Sequence, residues 1–375
     1  MSAETLDLAR RLVACRSITP DDAGCLELIA SRLTAAGFAC ERVNGRIARN
    51  LWARHGRGAP LVCFAGHVDV VPPGPIDRWT SDPFVPVERD GYLYGRGVAD
   101  MKASVAAMVT AAERFVAAHP DHPGSIAVLL TSDEEGDAVD GTVAVVDLLK
   151  SRGEAIDACI IGEPTSSAQL GDALKNGRRG SLHGVLTVKG MQGHVAYPEL
   201  ARNPIHIAMP ALAELAATEW DRGNESFAPT SFQISNVHAG TGANNVIPGT
   251  MDVVFNFRFS PASPTDALQA RTHAILEKHG VDGDVAWAVA SLPFISPRGR
   301  LVDALSAAVT AVTGITPALS TGGGTSDGRF LAAISSELVE FGPVNATIHA
   351  VDERMRVADI GPLSLIYEKT IAALL

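Results

Sequence analysis

Leu61-Val62-Cys63-Phe64-Ala65-Gly66-His67-Val68-Asp69 is the stretch on which the reading of this chain turns. Its opening residues are apolar without alternation, which predicts a strand buried on both faces, the kind found in parallel sheets covered by helices. It ends on a histidine and an aspartate, beyond the carboxyl end of the strand, where such sheets present their ligand-binding side chains. The same construction recurs. The apolar run 126–130 leads to Asp133-Glu134-Glu135, and the run 158–161 leads to Gly162-Glu163-Pro164. Helical patterns fall between: 103–118 is alanine-rich with Val105, Met108, Val109 and Phe115 on one side, and 143–150 is a second apolar helix. Strands alternating with helices predict an α/β fold built on a mostly parallel sheet.

The pattern changes over residues 181–292. Strand 182–188, helix 204–220, strands 231–237 and 251–259, helix 265–279 and strand 285–290 spell βαββαβ, a ferredoxin-like α+β unit. Helix and strand then resume at 301–312 and 337–341. The simplest division is a discontinuous domain, 1–180 with 293–375, carrying the motif residues and interrupted by an inserted domain at 181–292. A length of 375 residues exceeds what one core usually serves.

A composition of 46% hydrophobic and 19% charged residues is that of a globular protein. The formal net charge of −11, with no concentrated basic face, excludes nucleic acid as the expected partner. Lys175, Arg178 and Arg179 form the local exception, either a solvated face or an anion site. The first residues mix acids and arginines where a signal peptide needs an apolar stretch, and no run reaches membrane-spanning length, so the expectation is a cytoplasmic protein without a membrane partner. Cys15, Cys25, Cys40, Cys63 and Cys159 are scattered and odd in number, which predicts reduced thiols. Gly322 to Gly324 lack the lysine of a phosphate loop, and Gly95-Arg96-Gly97 lacks a third glycine, which argues against nucleotide binding.

His67, Asp100, Glu135, Glu163 and His349 supply the imidazoles and carboxylates that a pair of divalent ions needs, with one carboxylate shared between them. In the His-x-Asp spacing, the Asp69 carboxylate can hold the second imidazole proton of His67 and fix its tautomer. Adjacent Glu134 and Glu135 at a strand end point in different directions, so one can bind metal while the other stays free as a general base.

At this point the chain is identified as resembling, over essentially its whole length, the dinuclear-zinc metallopeptidases of family M20, the group that includes the aminoacylases. The resemblance is carried by residues 66–72, Gly95-Arg96-Gly97 through Asp100-Met101-Lys102, Ser132-Asp133-Glu134-Glu135-Gly136, Gly162-Glu163-Pro164-Thr165, and Gly323-Gly324-Thr325-Ser326-Asp327-Gly328-Arg329-Phe330. The last stretch is similar to the branch that removes succinyl groups rather than to the acetylornithine deacetylases. Ala103 departs from the glycine expected there.

The resemblance implies that Asp100 bridges two metal ions, that His67 and Glu163 complete one site and Glu135 and His349 the other, that Glu134 is the general acid/base, and that Asp69 orients His67. It implies a cis peptide after Asp100. It also implies zinc as the ion, with cobalt or manganese as an alternative in one site, and a homodimer paired through the inserted domain, with His194 reaching the partner's site to stabilise an oxyanion. The implied substrate is a small anionic N-succinyl amino acid. Its carboxylates would be met by Lys175, Arg178, Ser181, Tyr197, Asn244, Asn245, Arg258, Gly324, Thr325 and Asn345. Two other readings share the pattern: a different deacylase of the family, such as an acetylornithine deacetylase or an aminoacylase, and a non-catalytic binding or scaffold member.

Overall fold

The computed structural model describes residues 2–375, which divide into two units: one comprises the chain up to Gly177 with Ile295–Ser320 and Ser326–Leu375, the other Arg178–Phe294 with Thr321–Thr325. Sequence periodicity carries no signal for the short return of 321–325 to the second unit, because five loop residues have no period to read.

The first unit is built on an eight-stranded sheet in the order Ala39–Arg42, Asn50–Gly56, Ser125–Thr131, Leu61–His67, Ile156–Ile161, Ser335–Glu340, Ala173–Lys175, Ala318–Ser320. Leu61–His67 runs parallel to both of its neighbours, and Ser335–Glu340 runs parallel to Ile156–Ile161; the antiparallel pairings lie toward the edges. The three motif-bearing strands thus end at the same edge of the sheet. Every residue of Leu61–His67 and Ser125–Thr131 is buried, as the unbroken apolar runs predict. The helix Ala103–Ala118 is apolar almost all round and buried through its first ten residues, which places it against the sheet with the helices Ser2–Ala14 and Val357–Leu374 packed on it. Phe64, Phe341 and Tyr367 join sheet to helix through edge-on ring contacts.

The second unit is a four-stranded antiparallel sheet, ordered Ser231–Ala239, Thr250–Phe259, Gly180–Lys189, Gly283–Ser291, with the helices Pro204–Ala217 and Thr265–Lys278 between strands in the βαββαβ sequence. Its core gathers Leu182, Leu186, Leu215, Phe232, Phe255 and Phe257. The first helix stops at Ala217 rather than reaching Trp220, because Thr218 turns extended and lets the Trp220 ring pack edge-on against Phe257 at 4.6 Å.

Candidate metal centre

Gly66 and Gly162 each precede a candidate ligand and leave room for the Met101 thioether against the strands carrying His67 and Glu163; a Cβ at Gly162 would also press on Met108 and on the Ser104 Cβ. The Asp100-Met101 peptide is cis. The two oxygens of Asp100 face different histidines: Oδ1 lies 3.3 Å from His67 Nε2 and Oδ2 lies 3.4 Å from His349 Nε2. Glu163 Oε1 is 3.9 Å from His67 Nε2, and Glu135 Oε1 is 3.0 Å from His349 Nε2. Potential donor atoms of His67, Asp100 and Glu135, and separately of His67, Glu134 and Glu163, fall within 4.8 Å of one another. His349 adopts φ 59, a left-handed conformation uncommon outside glycine and of the kind found at functional turns.

Asp69 holds His67 differently from the expectation. His67 Nδ1 pairs with the backbone carbonyl oxygen of Asp69 at 3.0 Å, while the carboxylate is 3.6 Å away. That carboxylate instead accepts the backbone N–H of Glu135 at 3.1 Å and of Glu134 at 3.5 Å. Glu134 and Glu135 accordingly stand on a turn beyond the strand, which ends at Thr131, rather than on alternating strand positions.

The electrostatics are those of a site built for cations. Burial, and after it the Glu163 carboxylate, pushes Glu134 well above the usual carboxylate range. Burial alone would depress His67, but Asp100, Glu134 and Asp69 together hold its imidazole well above its ordinary value. Hydrogen bonds to Asp100 and Glu135 raise His349 to about 10. Asp100 is held below its ordinary value because hydrogen bonds from His349 and His67 outweigh its burial. On His67, His349 and Glu134 a proton offsets the negative charge of the surrounding carboxylates, and a divalent ion would supply the same positive charge. The donors fit two such ions: His67, Asp100 and Glu163 could hold one, and Asp100, Glu135 and His349 the other.

The remaining candidates lie in three places. In the second unit, Arg178 Nη1 donates to the carbonyl oxygens of Gly322 and Gly324 at 3.2 and 2.9 Å, Arg258 Nη1 donates to Thr325 Oγ1 at 3.2 Å, and Ser181 Oγ accepts from Asn256 at 3.0 Å. Burial, then the neighbouring Arg179, lowers Arg258 from its ordinary value, a crowding of positive charge that an anion would relieve. Also in that unit, Gly193–His194 forms a short two-stranded antiparallel ladder with Val246–Ile247, next to Asn244 and Asn245; Val195 N–H donates to the Asn245 carbonyl at 3.1 Å, and the Tyr197 ring lies 5.7 Å from that of His194. Lys175 and Asn345 belong to the first unit, Lys175 opposite Glu340 in the sheet and Asn345 N–H on the Ser166 carbonyl at 2.9 Å, in the turn leading to His349.

Two features escaped the sequence reading. Asp327, inside the quoted stretch 323–330, is 4% exposed and pushed up to about 6 by burial, with His67 and Asp69 among its electrostatic neighbours. Glu353 and Arg96 form a buried ion pair at 2.8 Å; Arg96 stands in the quoted stretch Gly95-Arg96-Gly97, whereas Glu353 stands in none.

The fold and this constellation define a metallopeptidase-type hydrolase site, and comparison with known proteins agrees. Residues 63–373 match the family model described as Peptidase family M20/M25/M40, and the chain belongs to that family. It is 63% identical over 371 residues, 99% of this chain and 98% of the relative, to succinyl-diaminopimelate desuccinylase of Azoarcus sp.. It is 61% identical over 375 residues, the full length of both, to the protein of the same name from Nitrosomonas europaea. A solved structure from Bacillus subtilis, described as a dinuclear metal binding peptidase from the M20 family, shares the fold with a TM-score of 0.74 at 16% identity, covering 100% of this chain and 98% of the other.

Proposed function

We infer that this chain is a succinyl-diaminopimelate desuccinylase, an amide hydrolase that converts N-succinyl-L,L-2,6-diaminopimelate and water to succinate and L,L-2,6-diaminopimelate, in the route to diaminopimelate and lysine. The observation that carries the chemistry is Asp100 dividing its two oxygens between His67 and His349. Identity above 60% along the full length of desuccinylases supports the substrate.

Two zinc ions, with cobalt or manganese able to replace one, would be held by His67, Asp100 and Glu163 and by Asp100, Glu135 and His349. When bound they supply Lewis acidity at the scissile carbonyl and make water nucleophilic at neutral pH. Glu134, its affinity for a proton raised by burial and by Glu163, takes a proton from the attacking water and returns it to the departing amine. Asp69 fixes the turn that aims Glu134 and, through its carbonyl, the tautomer of His67. The groups proposed to meet the carboxylates of the substrate are Lys175 and Asn345 in the first unit and Arg178, Ser181, Tyr197, Asn244, Asn245, Arg258, Gly324 and Thr325 in the second.

The protein works as a cytoplasmic homodimer paired through the second unit, with His194 donating to the oxyanion in its partner's site. Mixing inactive His194→Ala and Glu134→Ala subunits tests this arrangement. Heterodimers should regain activity, because one of their two sites combines an intact Glu134 with an intact His194 from the other subunit; a mixture that stays inactive after verified subunit exchange contradicts it. The activity is tested by succinate release from N-succinyl-L,L-diaminopimelate, present in zinc-loaded protein and lost on chelation.

A further inference from the structure

Glu353 lies four positions beyond His349 in the sequence, and Arg96 four positions before Asp100. The Glu353 carboxylate collects four donors from the Asp100 segment: Oε2 accepts Arg96 Nη1 at 2.8 Å and Gly97 N–H at 2.9 Å, while Oε1 accepts Ala99 N–H at 2.9 Å and Asp100 N–H at 3.1 Å. Its own backbone carbonyl accepts Gly95 N–H at 3.0 Å. Arg96 reaches back the other way, with Nη2 3.5 Å from the His349 carbonyl oxygen and the guanidinium 5.2 Å from the Trp79 ring. The two side chains are 2% and 1% exposed. Next along the chain, Arg354–Arg356 pairs antiparallel with Tyr92–Tyr94, so the segments on either side of the ion pair are also tied together.

A carboxylate with both oxygens doubly occupied fixes more than charge. Three N–H groups converging on it set the path of the backbone into Asp100, and therefore the direction in which the Asp100 side chain leaves it. The Arg96 arm ties that path to the turn carrying His349. We infer that Glu353 and Arg96 are positioning residues of the metal centre, a buried ion pair that sets Asp100 against His349 and so determines the affinity of the ions and the rate of the reaction. The inference rests on the reading of His67, Asp100, Glu135, Glu163 and His349 as the ligand set. Neither residue is among those ligands, and neither is given a role in proton transfer.

The test compares Glu353→Gln and Arg96→Lys with the unaltered protein. Glu353→Gln keeps the volume but turns an amide NH₂ toward groups that are themselves donors. Arg96→Lys keeps a cation beside Glu353 but loses the arm toward His349. Zinc stoichiometry and affinity are measured by chelator competition on the metal-stripped proteins at a temperature where each is folded, and kcat and KM are measured after zinc loading. Glu353→Gln is expected to bind zinc about 10–100-fold more weakly, and Arg96→Lys to weaken one of the two ions by about tenfold. In both, the loss should fall on kcat, with KM within about twofold.

Wild-type zinc affinity for both ions in both variants, even with a lowered Tm, means a merely structural pair and overturns the inference. If Glu353→Gln does not fold, Arg96→Lys decides alone. Unaltered protein that takes up no zinc removes the ligand reading and the inference with it, whereas unaltered protein that takes up two ions and is matched by its variants removes the inference alone.

Discussion

His349 Nε2 lies 3.0 Å from Glu135 Oε1, although 214 residues of chain separate them. The same nitrogen is 3.4 Å from Asp100 Oδ2, while His67 stands at the opposite oxygen of that carboxylate. Removing His349 therefore dismantles one side of the centre and leaves the other. His349→Ala is expected to retain about one equivalent of zinc and the unaltered protein two, read by metal analysis after dialysis. Retention of both ions would take His349 out of the ligand set.

Glu134 has the opposite signature. Glu134→Gln should keep both ions and an unchanged fold, while kcat falls by about 10²–10⁴-fold, the usual contribution of a positioned general base. Metal analysis and steady-state kinetics on one preparation decide the matter; loss of an ion in this variant would make Glu134 a ligand.

Asp69→Ala leaves the backbone carbonyl that holds His67 in place, but it removes the acceptor of the Glu134 and Glu135 backbone N–H groups. Leaving those donors unmet should cost about 1–3 kcal/mol of stability, seen as a lower Tm in the metal-stripped protein. The loosened turn should also weaken zinc binding by about 10–100-fold, preferentially in the site containing Glu135. An unchanged affinity would show that the turn holds its shape without Asp69.

Zinc binding should release protons. In the metal-free protein His349 is raised to about 10, so its imidazole is protonated at neutral pH, and the carboxylates around His67 shift it in the same direction. The sign follows from the direction of the shift. The His349 contribution to metal-free stability is fully present below the unfolded histidine value and is lost as pH rises through about 10. Because the ion takes the place of the proton, affinity should increase with pH across the neutral range. Calorimetry in buffers of different ionisation enthalpy measures the release directly, and a binding heat independent of buffer would contradict the assignment.

Much of this arrangement was legible in the sequence, for identifiable reasons. Leu61–His67 and Ser125–Thr131 are buried along their whole length, so their apolar runs read as central strands and their ends as a ligand-bearing edge. The βαββαβ order of the second unit followed from a change of period. What escaped depends on contacts that leave no period. The turn carrying Glu134 and Glu135 is shaped by hydrogen bonds that their backbone N–H groups donate to Asp69, far away in the chain. Glu353 looks like a surface acid because the three backbone N–H groups that bury it belong to residues 97–100. Asp327 resembles any loop acid until its burial is seen.

The central claim is tested most directly by offering zinc-reconstituted protein N-succinyl-L,L-diaminopimelate and N-acetylornithine side by side and comparing kcat/KM. The account predicts a strong preference for the succinylated substrate, lost on chelation and restored by zinc. Preference for N-acetylornithine, or turnover of neither by protein holding two ions, would contradict it.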